Sequence, residues 1–351
     1  MGVLAIFFKK KIFKIFITFI VFSFFLIEKK KRTKPLLNND IPKISIFLPI
    51  YNKAKYLKRS ISSIQRQSIK DIEIIAINDC SNDSSLKILK EMKKKDSRIK
   101  IINNKKNYGL LFSRGMGILN SKGEYLMNLD PDDEYRGKNN LELLYNTAKK
   151  LNVDFITFFI FYLPYKKKSE QFSKFNKVLS QPELFESAFD NNNNLKDYFI
   201  TNKFIKRELL RNAFTIFKKE IYDKKWNYHE DNIWSILLHK FANSSVFINK
   251  KVYYYYENID SEMFNRGNPL DLKNLLDRNA MYKKILKRKG EEKYIISGYY
   301  ELIDIFGKYL EILKKDKYLK IKCINDLNKL SVNYNISYDY KKKIDYLLNQ
   351  L

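Results

Sequence analysis

Residues 123–133 read Gly-Glu-Tyr-Leu-Met-Asn-Leu-Asp-Pro-Asp-Asp, so an apolar run leads into three carboxylates within four residues. The apolar part is typical of a buried strand. Carboxylates this close repel one another unless a cation or solvent offsets their charge. Asp and Pro are also ordinary turn residues, so this stretch alone fits an acidic turn as well as a cation site. The chain around it distinguishes the two.

Strand-like and helix-like patterns alternate along the first half of the chain. Apolar, β-branched runs occupy residues 43–48, 72–77, 99–102 and 124–129. Helical spacing of apolar residues occupies 56–67, 84–94 and 110–120. This alternation predicts an α/β protein with a doubly wound, mostly parallel sheet. Ligands bind beyond the carboxyl ends of such strands, where the polar loops 49–53, 79–83 and 130–133 fall, which favours a functional site.

The second half of the chain is less regular. Its pattern predicts strands at 153–161 and 246–256 and helices at 202–210 and 231–241. Residues 165–194 are rich in Lys, Ser and Asn and predict a loop excursion with little core. From residue 269 onwards the pattern is helical and rich in lysine, without a recognisable catalytic motif.

Composition excludes several classes of protein. A hydrophobic fraction of 45% in 351 residues excludes a mainly disordered chain. The formal net charge is +28, but the lysines are scattered and no helix shows one concentrated basic face, so we expect no nucleic-acid partner. Two cysteines and two histidines exclude a disulfide framework and a zinc site of the usual type. Any metal should therefore be a hard cation on oxygen ligands, such as Mg²⁺ or Mn²⁺.

The amino-terminal segment predicts an uncleaved membrane anchor over residues 1–33, with an apolar core at 15–27. Thirteen helical residues reach only about 20 Å, so spanning a membrane also requires the preceding residues, with their lysines snorkelling. A cleaved signal peptide is the alternative, although the basic run 28–32 stands where its cleavage site should lie. Residues 34–42 read as a linker.

These motifs resemble those of family 2 glycosyltransferases. The resemblance rests on Ile44-Ser-Ile-Phe-Leu-Pro-Ile-Tyr-Asn52, on Asn78-Asp-Cys-Ser-Asn-Asp83, and on Gly123-Glu-Tyr125 leading into Asp130-Pro-Asp-Asp133. It covers residues 43–261, with the motifs in the family's order and spacing. It implies a Rossmann-like glycosyltransferase-A fold, a nucleotide-sugar donor, a divalent cation and inversion at the anomeric carbon.

The resemblance also assigns roles to individual residues. It places a nucleotide-sugar site at Pro49, Tyr51, Asn52, Lys53, Asp79, Arg114 and Asp130. Tyr51 would lie near a uracil ring, and Asp79 would accept the uracil N3 proton. Asp132 would be the principal ligand of Mn²⁺ or Mg²⁺, with Asp130 facing both ribose and metal, as in an Asp-x-Asp motif.

A last motif, His229-Glu-Asp-Asn232, directly precedes a predicted helix. The family resemblance makes Asp231 the general base and places Glu230 near the acceptor. Acidic residues at a helix start also offset the helix dipole, which is the simpler alternative. Trp234 is either a core residue or a surface on which an acceptor sugar stacks.

Three positions depart from the family's usual pattern. The family usually has a small residue at the position of Pro131 and Gly at the position of Cys80. It usually has Asn at the position of Gly115. None of these changes removes a carboxylate.

The sequence thus predicts a membrane-anchored, inverting, metal-dependent glycosyltransferase. It would move a hexose or N-acetylhexosamine from a UDP-sugar to a hydroxyl of a glycan, glycoprotein or glycolipid. We expect a single-pass protein of the Golgi or endoplasmic reticulum with a lumenal catalytic domain. The alternative is a catalytically weak nucleotide-sugar-binding protein of the same fold. The predicted glycosyltransferase domain covers 43–265, with a nucleotide-sugar half (43–135) and an acceptor half (136–265), followed by a helical region (266–351).

Overall fold

The computed structural model describes residues 41–163, 167–168, 176–191, 193, 195–223, 225–258, 269–304, 309–334, 336 and 338–350. Residues 42–351 form one compact unit. The predicted anchor, residues 1–33, and most of the predicted linker lie outside the described residues.

The first half alternates strand and helix as the sequence predicts. Its elements are β1 (Ile44–Ile50), α1 (Ala54–Gln65), β2 (Ile72–Asn78), α2 (Ser85–Lys95), β3 (Ile99–Asn103), α3 (Leu110–Asn120) and β4 (Tyr125–Asn128). The acidic stretch follows β4 directly.

The second half mixes short strands with longer helices. It contains β5 (Glu134–Tyr135), α4 (Asn140–Leu151), β6 (Phe155–Leu163), β7 (Lys167–Lys168), β8 (Val178–Ser180), α5 (Glu183–Glu186), β9 (Lys203–Lys206), α6 (Arg207–Asp223), α7 (Glu230–Phe241) and β10 (Ser244–Tyr256). Five helices follow: α8 (Pro269–Ile285), α9 (Glu292–Asp304), α10 (Leu310–Lys315), α11 (Lys317–Asn333) and α12 (Tyr338–Gln350).

The described strands form one mixed sheet in the order β3-β2-β1-β4-β9-β6-β10-β5. The first four are parallel, but β9 is antiparallel to both β4 and β6. The α/β sheet is therefore confirmed, and its description as mostly parallel holds only for the first half. The error arose at β9, which falls in the segment predicted as helical. Its Lys203 is fully buried because its ammonium group donates to the Asp197 carboxylate at 2.6 Å, a pairing that hydrophobic periodicity does not reveal.

Each face of the sheet carries its own core because successive strand side chains point to opposite faces. In β1, Ile46 and Leu48 pack with α1, α2 and α4, whereas Phe47 packs on the other face with α3, α6 and α7. The helices from α8 onwards belong to the same core as Phe47. Residues 184–189, in the segment expected to have little core, contribute Phe185 and Phe189 to it, so that expectation was wrong.

The predicted single-pass localisation in a Golgi or endoplasmic reticulum membrane is contradicted. Over the ranges given above, the structure contains no helix with the length and apolar character that a membrane span requires.

A buried carboxylate holds the amino-terminal ends of the parallel strands together. Glu73 in β2 accepts from the Ser45 hydroxyl and the Lys100 ammonium group, each at 2.5 Å, and from the Gly123 amide at 3.2 Å. Burial acts to raise the pKa of Glu73, but the bonds from Lys100 and Ser45 outweigh it and lower that pKa below its ordinary value. The start of β4, and hence the acidic loop at its end, is fixed in this way.

We predict that Gly123→Ala destabilises the protein by about 1–3 kcal/mol, the usual cost of overpacking. A Cβ atom at residue 123 would lie 2.5 Å from the Ser45 amide nitrogen and 2.7 Å from the Ile44 carbonyl carbon, and neither backbone atom has room to retreat. Urea unfolding measures the change. The neighbouring exposed Lys122→Ala should stay within about 0.5 kcal/mol of the parent. Equal stability of the two variants would contradict this account of the strand start.

Candidate active site

A cavity of about 510 Å³ opens at the carboxyl ends of β1, β2 and β4. The loops that follow these strands contribute Tyr51, Asp79 and Asp130 to its wall. The start of α7 forms the middle of the wall, and α8 and α9 form the far side. The structure thus brings together the three loops that the sequence predicted to converge.

The loop after β1 presents two of the predicted nucleotide-binding side chains. Tyr51 is 37% exposed and lines the cavity beside Pro49. Lys53 also lines it and donates to Asp132 at 2.7 Å. Asn52 does not line the cavity. Its backbone is left-handed (φ 51°), and its side-chain oxygen accepts from the Asn82 amide at 2.8 Å, so it ties the loops after β1 and β2 together.

Asp79 lies at the floor of the cavity and is 3% exposed. Its carboxylate accepts from the Gly109 amide at 2.8 Å, the Tyr108 amide at 3.1 Å and the Asn104 side chain at 2.7 Å. A carboxylate offers about four acceptor positions, so one further donor can be accommodated. The next residue, Cys80, has a φ of 60°, the conformation that favours the glycine common in the family.

The three carboxylates after β4 have different partners. Asp130 accepts from Asn128 at 2.8 Å and from Arg114 at 3.2 Å, and Asp132 accepts from Lys53. Asp133 is 1% exposed, and its hydrogen-bond donors, the Tyr253 hydroxyl and the Tyr256 amide, lie on β10. Burial raises the pKa of Asp133 well above its ordinary value, and the neighbouring carboxylates add to the rise.

Asp130 and Asp132 are the candidate metal ligands. In the part of the chain that the structure describes, no three His, Cys, Asp or Glu side chains are grouped closely enough to hold a metal by themselves. Two carboxylates lining one cavity nevertheless fit a hard cation, because Mg²⁺ and Mn²⁺ take their remaining ligands from phosphate oxygens and water. The oxygen donors are therefore compatible with a cation shared with a diphosphate.

Arg114 of α3 joins the acidic loop to the start of α7. Its guanidinium group is 2% exposed, and it contacts the carboxylates of Glu230, Asp231 and Asp130. Burial alone would lower the pKa of Arg114, but these carboxylates outweigh burial and raise it. The family resemblance places Arg114 in the nucleotide-sugar site; it lines the cavity, and its side-chain contacts there are carboxylates.

Glu230 and Asp231 begin α7 and differ in exposure. The Glu230 side chain is 5% exposed and that of Asp231 is 22% exposed, so Asp231 is the more accessible of the two. Burial raises the pKa of both carboxyl groups, and the Arg114 guanidinium opposes the rise. Trp234, one turn later, is fully buried in the core and does not line the cavity.

The far wall of the cavity comes from residues that the sequence did not single out. Hydrophobic and aromatic side chains dominate it, and most come from helices for which the sequence suggested no chemistry: Phe189, Leu195, Tyr198, Phe199, Tyr282, Tyr294, Ser297, Gly298 and Glu301. The helical carboxyl-terminal region therefore takes part in the site.

Comparison with known proteins extends these observations. A family model described as glycosyl transferase family 2 matches residues 45–214. A cholesterol galactosyltransferase of Borreliella burgdorferi is 32% identical over 259 residues, which cover 71% of this chain and 68% of that protein. The uncharacterized glycosyltransferase EpsJ of Bacillus subtilis is 28% identical over 227 residues, which are 63% of each chain. The match thus spans about two thirds of the length of these relatives.

Solved structures share the fold. Residues 1–349 of S. aureus TarS, in complex with UDP-GlcNAc, superimpose with a TM-score of 0.58 at 17% identity, covering 87% of this chain and 84% of that one. At this identity the likeness concerns the fold alone, and it agrees with the glycosyltransferase-A architecture predicted from the sequence. With the matched family model and a relative that is 32% identical over most of its length, the chain belongs to glycosyl transferase family 2.

Proposed function

We propose that this protein transfers a sugar from a UDP-sugar to an acceptor hydroxyl, with inversion and with Asp231 as the base. The observation that carries the proposal is the position of Asp231 in the cavity. It lies between the strand-end loops, where Asp79 and Asp130 stand, and the far wall of α8 and α9. Inversion requires a base on the side of the anomeric carbon opposite the leaving group, and we assign that role to Asp231.

The strand-end loops supply the donor side of the site. Tyr51 offers an exposed aromatic face for a uracil ring, and Asp79 retains acceptor capacity for its N3 proton. The complex of TarS with UDP-GlcNAc supports a UDP-sugar donor on this fold. We extend the proposal to a hexose or N-acetylhexosamine, since the cholesterol galactosyltransferase among the relatives is named for a hexose.

The acidic loop is proposed to hold a divalent cation through Asp132 and Asp130. A cation bound there would offset the negative charge that develops on the departing nucleoside diphosphate. Lys53 now bonds the Asp132 carboxylate, so it must move or share that carboxylate when a cation binds. Lys53 can then turn towards a phosphate, as the family resemblance implies.

On the acceptor side, Asp231 takes the proton of the acceptor hydroxyl, whose oxygen then attacks the anomeric carbon. Arg114 contacts Asp231 and opposes the rise in its pKa that burial causes, which makes Arg114 a positioning residue for the base. Glu230, more buried and also bonded to Arg114, fixes the start of α7. We propose that 43–135 is the nucleotide-sugar half and 136–265 the acceptor half, and that α8 and α9 of the carboxyl-terminal region add a wall to the acceptor side.

We predict that Asp231→Asn lowers acceptor-dependent turnover by roughly 10²–10⁴-fold, the usual contribution of a general base. Binding of UDP-sugar should be nearly unchanged, because Asp231 faces the acceptor. Glu230→Gln is the matched control and should lose less. Transfer assays beside calorimetry of donor binding compare the two variants. Near-parent transfer by Asp231→Asn would show that the acidic pair serves only the helix start.

We predict that turnover falls on the acid side of the pH profile with a midpoint above the ordinary Asp value of about 4. The base must be deprotonated, and burial raises the pKa of Asp231. Removing the opposing cation with Arg114→Met should raise that pKa further and move the acid limb to higher pH. The control Arg66→Met changes an arginine whose side chain is 53% exposed and should leave the limb in place. An unshifted or lowered limb in Arg114→Met would contradict the role given to Arg114.

We predict that Asp132→Ala abolishes Mn²⁺-stimulated hydrolysis of the UDP-sugar and weakens Mn²⁺ binding in the presence of UDP. The reason is the loss of one of two oxygen ligands in the cavity. Calorimetric titration of Mn²⁺ into the UDP complex measures binding directly. Asp71→Ala removes an exposed carboxylate outside the cavity and serves as the control. Full activity of the parent in excess chelator would refute the metal proposal.

A further inference from the structure

A buried arginine and an exposed carboxylate meet at the far wall of the cavity. Arg278 of α8 has no exposed surface, and its Nη1 atom donates to Glu301 Oε2 of α9 at 2.6 Å. The other guanidinium nitrogen, Nη2, donates to the Gly298 carbonyl at 3.1 Å and to Asn279 Oδ1 at 2.9 Å. The Glu301 side chain is 46% exposed and lines the cavity. Arg278 therefore fixes the orientation of a carboxylate that faces the cavity.

The packing of α8 against α9 has no spare room at this point. A Cβ atom on Gly298 would lie 2.9 Å from Asn279 Oδ1 and 3.2 Å from the Tyr282 ring. The absence of a side chain at Gly298 lets the two helices approach closely enough for Arg278 to reach across. Burying an arginine destabilises a protein unless its N–H groups form hydrogen bonds. Here the Arg278 guanidinium donates four hydrogen bonds to acceptors in α8 and α9.

The same helix also contacts the segment that carries the proposed base. Tyr282 lies one turn after Arg278 on α8 and forms a side-chain hydrogen bond with Asn232, the neighbour of Asp231. The Arg278 guanidinium lies 5.3 Å from the centre of the Tyr282 ring. Glu301 thus belongs to a rigid wall that is joined to the start of α7.

We propose that Glu301 is a specificity-determining residue that accepts hydrogen bonds from the hydroxyl groups of a neutral sugar in the acceptor. This inference rests on the proposed function, since it assigns the far half of the same cavity to the acceptor. A carboxylate only accepts hydrogen bonds when ionised, and it offers about four positions, so it suits a ligand rich in hydroxyl donors.

The walls around Glu301 agree with a sugar rather than a charged acceptor. Phe189 and Tyr294 stack with ring centroids 3.8 Å apart, and together with Leu195 they give this part of the cavity an apolar lining in which no described side chain is positively charged. An anionic acceptor would meet Glu301 and Asp231 in the same cavity, and like charges placed together discriminate against such a partner.

The test measures release of UDP from a UDP-hexose, first alone and then with defined acceptor probes. The neutral probes are octyl β-glucoside and octyl β-galactoside, the anionic probe is octyl β-glucuronide, and the sterol probe is cholesterol in detergent. We expect the neutral glycosides to stimulate release, and Glu301→Gln to raise their KM by roughly 10- to 100-fold, the loss typical of a hydrogen bond to a charged group. Donor hydrolysis without acceptor and the affinity for UDP should not change.

Two further variants keep the result decisive. Glu301→Asp retains the carboxylate and should recover part of the lost affinity, which a merely structural role would not predict. Glu292→Gln makes the same change at an exposed position of α9 outside the cavity and should behave as the parent.

The inference is overturned if the glucuronide stimulates as well as the glucoside, if cholesterol alone stimulates, if no glycoside does, or if Glu301→Gln keeps the parent KM. Absence of any UDP release from the parent would instead refute the proposed function itself.

Discussion

The site depends on one buried cation that three carboxylates share. Arg114 comes from α3, Asp130 from the loop after β4, and Glu230 and Asp231 from the start of α7. The acidic loop and the start of α7 are far apart in sequence, and their carboxylates would repel one another without a positive charge between them. Burial raises the pKa of both Glu230 and Asp231, and the Arg114 guanidinium opposes that rise. The nearby Asp130 carboxylate adds to the rise for Asp231, and a second cation at the acidic loop would offset the charge of Asp130 and Asp132.

The alternation of apolar strands and amphipathic helices made the first half of the fold predictable from the sequence. The strands β1 and β2 are mostly apolar, and all seven residues of each are buried. The pattern failed at β9, which is four residues long and begins with a lysine. Its position depends on the pairing of Lys203 with Asp197, a tertiary contact without a local periodic signal.

Site residues were predictable where a motif follows a strand end, as at Asp79 and Asp130. Contacts between distant side chains were not predictable. Nothing in the sequence indicated that Arg114 would contact three carboxylates, or that Asn52 would link two loops instead of lining the cavity. The contribution of α8 and α9 gave no sequence signal, because a single charged residue such as Glu301 on an amphipathic helix looks like solvated surface. Only their packing against α7 reveals the cavity wall.

The link between β10 and the acidic loop has a consequence for the modularity of the chain. The Tyr253 hydroxyl donates to Asp133 at 2.8 Å and accepts from the Asp130 amide, and the Tyr256 amide donates to Asp133. Residues more than a hundred positions downstream thus shape the loop that ends the first half of the sheet. Recombination between relatives at the middle of the chain would combine the acidic loop of one parent with the β10 strand of another, and their hydrogen bonds could be lost. Chimeras that exchange donor preference should therefore carry β10 and the acidic loop from the same parent.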